Sequence, residues 1–61
     1  MNNFEINQIV KGKIAGTFVI LGFFTEATGE QYAQLKEVNP YNYSQTAPGE
    51  LALPIKKLLA I

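Results

Sequence analysis

The chemistry this sequence can offer rests on few side chains: five glutamates, five lysines, three tyrosines and the single serine Ser44. Histidine, cysteine, aspartate and arginine are absent. Proton transfer and nucleophilic attack near neutral pH draw mostly on histidine, a paired acid or an activated thiol. Ser44 has no histidine to act as its base, and Lys36, Lys56 and Lys57 read as solvated cations. Glu26 and Glu30, which flank the TEATGE stretch, are the one acid pair a hairpin would draw together, and two hydrated carboxylates on a turn are the plainer account of them. Dense metal-ligand sets are built from His, Cys and clustered carboxylates. No catalytic residue, no metal and no cofactor is therefore expected. A phosphate cradle is not expected either, because such loops open a helix and AGTFVILG runs into a strand-like segment.

Binding is the function class left. Charges balance to zero, so no overall field gathers polyanions or acidic lipid around the chain. Tyr41 and Tyr43 lie in VNPYNYSQTAPGE, residues 38–50, which reads as a polar loop of about eleven residues, long for so short a chain. Asn39-Pro40 forces extended or turn backbone at one end, and Ala47-Pro48-Gly49-Glu50 has the Pro-then-Gly order of a type II turn at the other. Tyrosine rings with polar tips are enriched at protein interfaces, and they can equally fold back as lids over the end of a small domain. A nucleic-acid alternative uses Lys11, Lys13 and Lys36 as a local patch on adjacent strands, with Phe23, Tyr32, Tyr41 and Tyr43 as stacking platforms for single-stranded bases. It lacks arginine, the commonest reader of guanine edges.

The elements that must carry these residues are small. A chain of 61 residues is one domain, residues 1–61, and such a domain hides only about 60% of the surface its unfolded chain would expose. Without cysteine or histidine, disulfide and metal staples are unavailable, and packing or self-association remains. Absence of cysteine fits a reducing compartment, and a cytoplasmic location is the expectation. The longest apolar run, IAGTFVILGFF at 14–24, is too short for a membrane-spanning helix, which needs about 20 residues, and reads as core; no membrane partner is expected. Lys11 and Lys13 before it and TEATGE after it imitate a signal peptide. Glu5 spoils the basic region, and cleavage near Ala27 would leave fewer than the roughly 40 residues needed to fold without staples. GKIAG has GxxxG spacing, but Lys13 sits in its middle.

Met1 to Asn7 reads as a frayed tail or an edge strand. QIVKGKI, 8–14, alternates as a half-buried strand, turning at Ala15-Gly16 into a central strand Thr17 to Thr25. TEATGE suits a hairpin loop with left-handed Gly29. QYAQLKEV then returns antiparallel, and because Val38 falls out of phase with Ala33 and Leu35 a bulge is expected near Glu37. Glu50 to Leu53 is a short strand stopped by Pro54. PIKKLLAI places Ile55, Leu58 and Leu59 on one side of a helical turn with Pro54 at its start.

Strand count, hairpin lengths and the late single turn over residues 8–61 resemble an SH3-like small β-barrel in architecture. The resemblance implies an all-β fold of four to five antiparallel strands with a short C-terminal helical turn. An SH3 domain carries a tryptophan beside its peptide groove and an acidic loop facing it. This chain has no Trp, and Glu26 and Glu30 are the only acids near its first hairpins, so the resemblance extends to the barrel and not to proline-rich ligands. Strict alternation along the central strand puts Phe18, Ile20 and Phe24 on one face and Val19, Leu21 and Phe23 on the other. Both faces then need cover, part of it from Leu58, Leu59 and Ile61. The expected function is a protein-interaction module with a protein or peptide partner, self-associating through Val19, Leu21 and Phe23, with Tyr32, Tyr41 and Tyr43 as further contact residues.

Overall fold

Turn chemistry sets the strand ends. In a computed structural model that describes residues 3–61, Ile9–Gly12 (β1), Thr17–Thr25 (β2), Gln31–Val38 (β3), Gln45–Pro54 (β4) and Leu58–Ala60 (β5) form one antiparallel sheet, with a 3₁₀ turn at Ile55–Lys57. The strand order is β4-β3-β2-β1-β5, with β4 and β5 at the two edges. The all-β expectation holds, but the sheet is not closed into a barrel. Met1 and Asn2, part of the expected tail, lie outside the described residues. The rest of that segment has no regular structure apart from a turn at Ile6-Asn7: the Asn7 amide donates to the Ile20 carbonyl (2.7 Å), the Ile20 amide donates to the Gln8 carbonyl (3.0 Å), and Phe4 packs on the core.

β1 stops at Gly12, earlier than alternation suggested. The Gly12 amide donates to the Gly16 carbonyl (3.0 Å), closing a three-residue loop, Lys13 to Ala15, with Gly16 at φ 95°. Only glycine adopts that backbone without strain, so the turn needs Gly16, and Ile14 leaves the strand for the loop tip. The next hairpin matches its expectation. Gly29 has φ 90° and its amide donates to the Glu26 carbonyl (2.8 Å).

Two register shifts decide which side chains reach the core. Along the β2–β3 ladder Ile20 faces Leu35, but Gly22 faces Gln34, so Leu21 is an extra residue in β2. Such a bulge inverts the side-chain parity beyond it. Phe18 and Ile20 point inward before it. After it Phe23 turns inward, opposite the fully buried Ala33, and Phe24 turns outward. The expected grouping of Phe23 with Val19 and Leu21, and of Phe24 with Phe18 and Ile20, is thereby corrected. The second shift, in the β3–β4 ladder between Lys36 and Val38, lies near Glu37 as expected, but its extra residues are in β4, between Gln45 and Glu50, and the β2–β3 ladder runs unbroken through Glu37; Val38 is buried.

β4 is longer than expected. It begins at Gln45, so the segment read as an eleven-residue loop is a short connection, Asn39 to Ser44. Pro48 and Gly49 sit inside the strand, between the pairs Lys36–Glu50 and Val38–Gln45. The type II turn is absent: it needs positive φ at Gly49, and among the described glycines only Gly16 and Gly29 have it. An edge strand tolerates Pro48 because its missing N–H can fall on the unpaired side. The 3₁₀ turn after Pro54 ends at Lys57, and Leu58 and Leu59 belong to β5, where Leu58 is buried and Leu59 exposed. Their expected shared helical face is therefore replaced by strand alternation, and Leu59 and Ile61 remain exposed.

The core is one cluster of Val10, Phe18, Ile20, Ala33, Leu35 and Leu58, with Phe4, Phe23, Leu53 and Ile55 packed against it. It lies on the inner face of β1, β2 and β3 and thins toward β4.

Candidate interaction surfaces

Four of the polar residues with chemistry to offer, Ser44, Glu30, Lys56 and Glu50, make side-chain contacts within the fold. Ser44 donates its hydroxyl to Asn42 Oδ1 (2.8 Å). Glu30 pairs with Lys56 (2.9 Å), and this hydrogen bond and the nearby negative charge raise the Lys56 pKa above the ordinary lysine value. Glu50 accepts from the Gln34 amide nitrogen (2.7 Å). Among the described residues no three His, Cys, Asp or Glu come together as a metal site, and no helix is long and apolar enough to cross a membrane.

The tyrosine segment is a hydrogen-bonded hairpin loop. Asn39 accepts at Oδ1 from the amide of Tyr41 (2.8 Å), and its carbonyl accepts from the amide of Tyr43 (2.8 Å). The Asn39 amide donates to the Ser44 carbonyl (2.7 Å). These bonds hold Tyr43 at φ 61°, a left-handed conformation that non-glycine residues adopt at a cost of order 1 kcal/mol. Neither ring is a buried lid: Tyr41 is 92% exposed and Tyr43 47%. Tyr32 sits elsewhere, on the outer face of β3, half-buried and stacked on Phe24 (ring centroids 5.5 Å apart, planes 18° apart), with Pro54 next in the row.

The three lysines of the nucleic-acid alternative do not lie on adjacent strands. Lys11 on β1 faces Thr17 and Leu59, whereas Lys36 on β3 faces Val19 and Glu50. Two strand spacings, about 10 Å, and two residues of register separate them, and Glu50 offsets the charge of Lys36. Lys13 lies in the β1–β2 loop.

Two apolar surfaces remain. On the outer face Ile9 and Val19 are paired across β1 and β2 and half-buried, Leu21 protrudes from the bulge at 36% exposure, and Leu59 and Ile61 stand exposed at the β5 edge. On the inner side a cleft of about 350 Å³ opens where β4 and the Lys13–Ala15 loop fail to meet. Phe18, Leu51 and Leu53 form its floor, Ile14 its wall, and Lys13 and Lys57 its lip. The Lys13 amide donates to the Lys57 carbonyl (2.8 Å), which fixes the two lip positions side by side. Ile14 is 90% exposed and Leu51 37%.

No protein-family model, curated protein sequence or solved structure matches this chain.

Ile14 and Leu51 are not among the candidate site residues of the sequence, and Lys57 reads there only as a solvated cation. Strand alternation puts Leu51 and Leu53 on one face, but the cleft exists because that face is not closed over, and alternation carries no information about closure. The one local signal is Ile14, an isoleucine at the centre of a turn that ends on glycine.

Proposed function

We propose that this chain is a non-enzymatic protein-interaction module built on a small antiparallel sheet, and that it self-associates through its outer face. The observation that carries the reading is the partly exposed apolar strip of Ile9, Val19 and Leu21, the first two half-buried, with the exposed Leu59 and Ile61 beside it. Phe23, turned into the core by the bulge, supports this surface from behind rather than contributing to it. At about 25 cal/mol per Å² of apolar area, removing roughly 100 Å² of this strip from water contributes about 2.5 kcal/mol per subunit. That is a large fraction of the stability of so small a domain. Tyr41, 92% exposed on its hydrogen-bonded loop, is available to a protein partner.

Sedimentation equilibrium tests the reading. The wild-type chain is expected to associate in the micromolar range, and Leu21→Lys to give a folded monomer with an unchanged circular dichroism spectrum. A wild-type chain that stays monomeric at high micromolar concentration removes self-association. Titration with labelled single-stranded oligonucleotides at low salt separates the nucleic-acid alternative, whose signature is binding that weakens steeply as salt rises.

A further inference from the structure

We propose that the cleft between β4 and the Lys13–Ala15 loop is a docking site for an extended acidic peptide segment of another protein. The segment places an aliphatic side chain on Phe18, Leu51 and Leu53 and its carboxylates against Lys13 and Lys57. The proposal rests on the reading of the chain as a protein-interaction module, but not on its self-association, which uses the opposite face of the sheet.

Three observations converge on that occupant. The first is shape. A volume of about 350 Å³ falls at the lower end of the range of ligand sites, about 300–1,000 Å³. Its floor is apolar, so it rewards a hydrocarbon side chain rather than a polar group left without hydrogen bonds.

The second is charge. Among the described residues, Lys13 and Lys57 are the only charged ones on the cleft lining, and no carboxylate lines it. Neither lysine has an ion-pair partner among the described residues, whereas the adjacent Lys56 in the same 3₁₀ turn is engaged by Glu30. The backbone bond from Lys13 to Lys57 sets the two residues side by side on the cleft lining, where their positive charges favour an anionic ligand and disfavour a cationic one. The chain's own Glu30 and Glu50 are held by Lys56 and Gln34, away from the cleft.

The third is the sheet edge. β4 pairs with β3 on one side and with no strand on the other, so its outward backbone groups can accept an added strand, a common mode of peptide capture. Pro48 and Pro54 bracket the stretch that can pair, Gly49 to Leu53. Within that stretch Leu51 and Leu53 are the residues that line the cleft, so a strand added there brings its own alternate side chains toward the same floor.

A fluorescein-labelled peptide of alternating glutamate and leucine, with a glutamine-for-glutamate control of the same length, is the probe. Anisotropy is read on the wild-type chain and on the Leu21→Lys variant. Saturable binding is expected on both, and weaker binding is expected for the glutamine control and at higher salt. Lys13→Gln with Lys57→Gln, both at exposed positions, is expected to weaken binding about three- to tenfold, the scale of two exposed ion pairs. Leu51→Lys is expected to abolish it. Absence of saturable binding to either form overturns the proposal, as does binding indifferent to both sets of substitutions. If the double lysine variant disperses a wild-type oligomer, the occupant is a second copy and the proposal is likewise overturned. A chain that fails to bind the peptide yet becomes monomeric with Leu21→Lys loses the cleft and keeps self-association. A chain that binds the peptide but never associates does the reverse.

Discussion

Leu35 and Leu51 face each other across β3 and β4 and belong to the same inner face, yet Leu35 is fully buried and Leu51 is 37% exposed. One strand spacing separates a sealed core from an open one. Leu35 lies on a strand flanked on both sides, by β2 and β4, and under the cluster of Ile20, Phe18 and Val10. Leu51 has β3 on one side and the cleft on the other. The same side chain in the same strand conformation therefore plays two roles, set only by whether an element covers it. On the inner face, the β1–β3 half is closed and the β4 half is open.

The largest expected effect tests that division directly. Ile20→Ala removes a fully buried side chain from the centre of the closed half, and such changes cost about 2–5 kcal/mol. For a domain of this length the whole margin is on the order of 3–9 kcal/mol at the usual stability per residue, so the variant is expected to be largely or marginally unfolded. Leu51→Ala, on the open half, is expected to cost about 1 kcal/mol, because water already reaches the side chain and its removal leaves little enclosed void. Urea denaturation followed by circular dichroism gives both numbers. Equal costs would mean that the cleft is shut in solution, and the contrast between the halves would disappear.

Two glycines sharpen the same contrast. A methyl group on Gly16 would stand 2.5 Å from the Phe18 ring, at a backbone φ of 95°. Gly16→Ala is therefore expected to destabilise by about 2 kcal/mol, from left-handed backbone strain and from pushing Phe18 off its seat. A methyl on Gly49, within the β4 edge, meets nothing within 4 Å, and the backbone there is not left-handed. Gly49→Ala is expected to be neutral or to stabilise by up to about 1 kcal/mol by restricting the unfolded chain. Thermal melts of the two variants should move in opposite directions or differ by several degrees. A stabilised Gly16→Ala would show that the hairpin loop does not press on the core as described.

The closed half was largely legible in the sequence, and the open half was not. The bounds of β2 and β3, the left-handed Gly29 and the place of the register shift near Glu37, though not the strand that carries its extra residues, follow from apolar alternation and turn residues, which are local signals. The bulge at Leu21 left no such mark, because TFVILGFF is apolar at every position but its threonine and glycine, and no polar residue falls out of phase to reveal the shift. β4 was cut short because Pro48-Gly49 reads as a turn, although an unpaired strand edge accommodates both. β5 was taken for helix because Ile55, Leu58 and Leu59 have helical spacing, and only the pairing of Leu58 with Gly12 and Leu59 with Lys11 makes it a strand. The outer-face residues Val19, Leu21 and Tyr32 could be named from composition. The cleft could not, since it depends on two elements, distant in sequence, that stop short of each other.

The smallest effect concerns the 3₁₀ turn that joins the two halves. Lys56, on one flank of that turn, is bound to Glu30 at the end of the β2–β3 hairpin, while Lys57 lines the cleft. The Lys56 pKa is raised, first by its hydrogen bond to Glu30 and then by the carboxylate charge. A lysine that holds its proton more tightly when folded stabilises the fold fully at pH values below its unfolded pKa. That contribution fades as pH rises through the higher folded value. The difference in melting temperature between the wild-type chain and Lys56→Met is therefore expected to be small and constant from neutral pH upward, then to vanish in the alkaline range above the ordinary lysine pKa. Taking the difference between the two proteins cancels the titration of the other lysines and the tyrosines. If the gap instead persists unchanged at high pH, the charge of Lys56 is not what anchors the turn, and the packing of Ile55 against the core is the remaining tie between the halves.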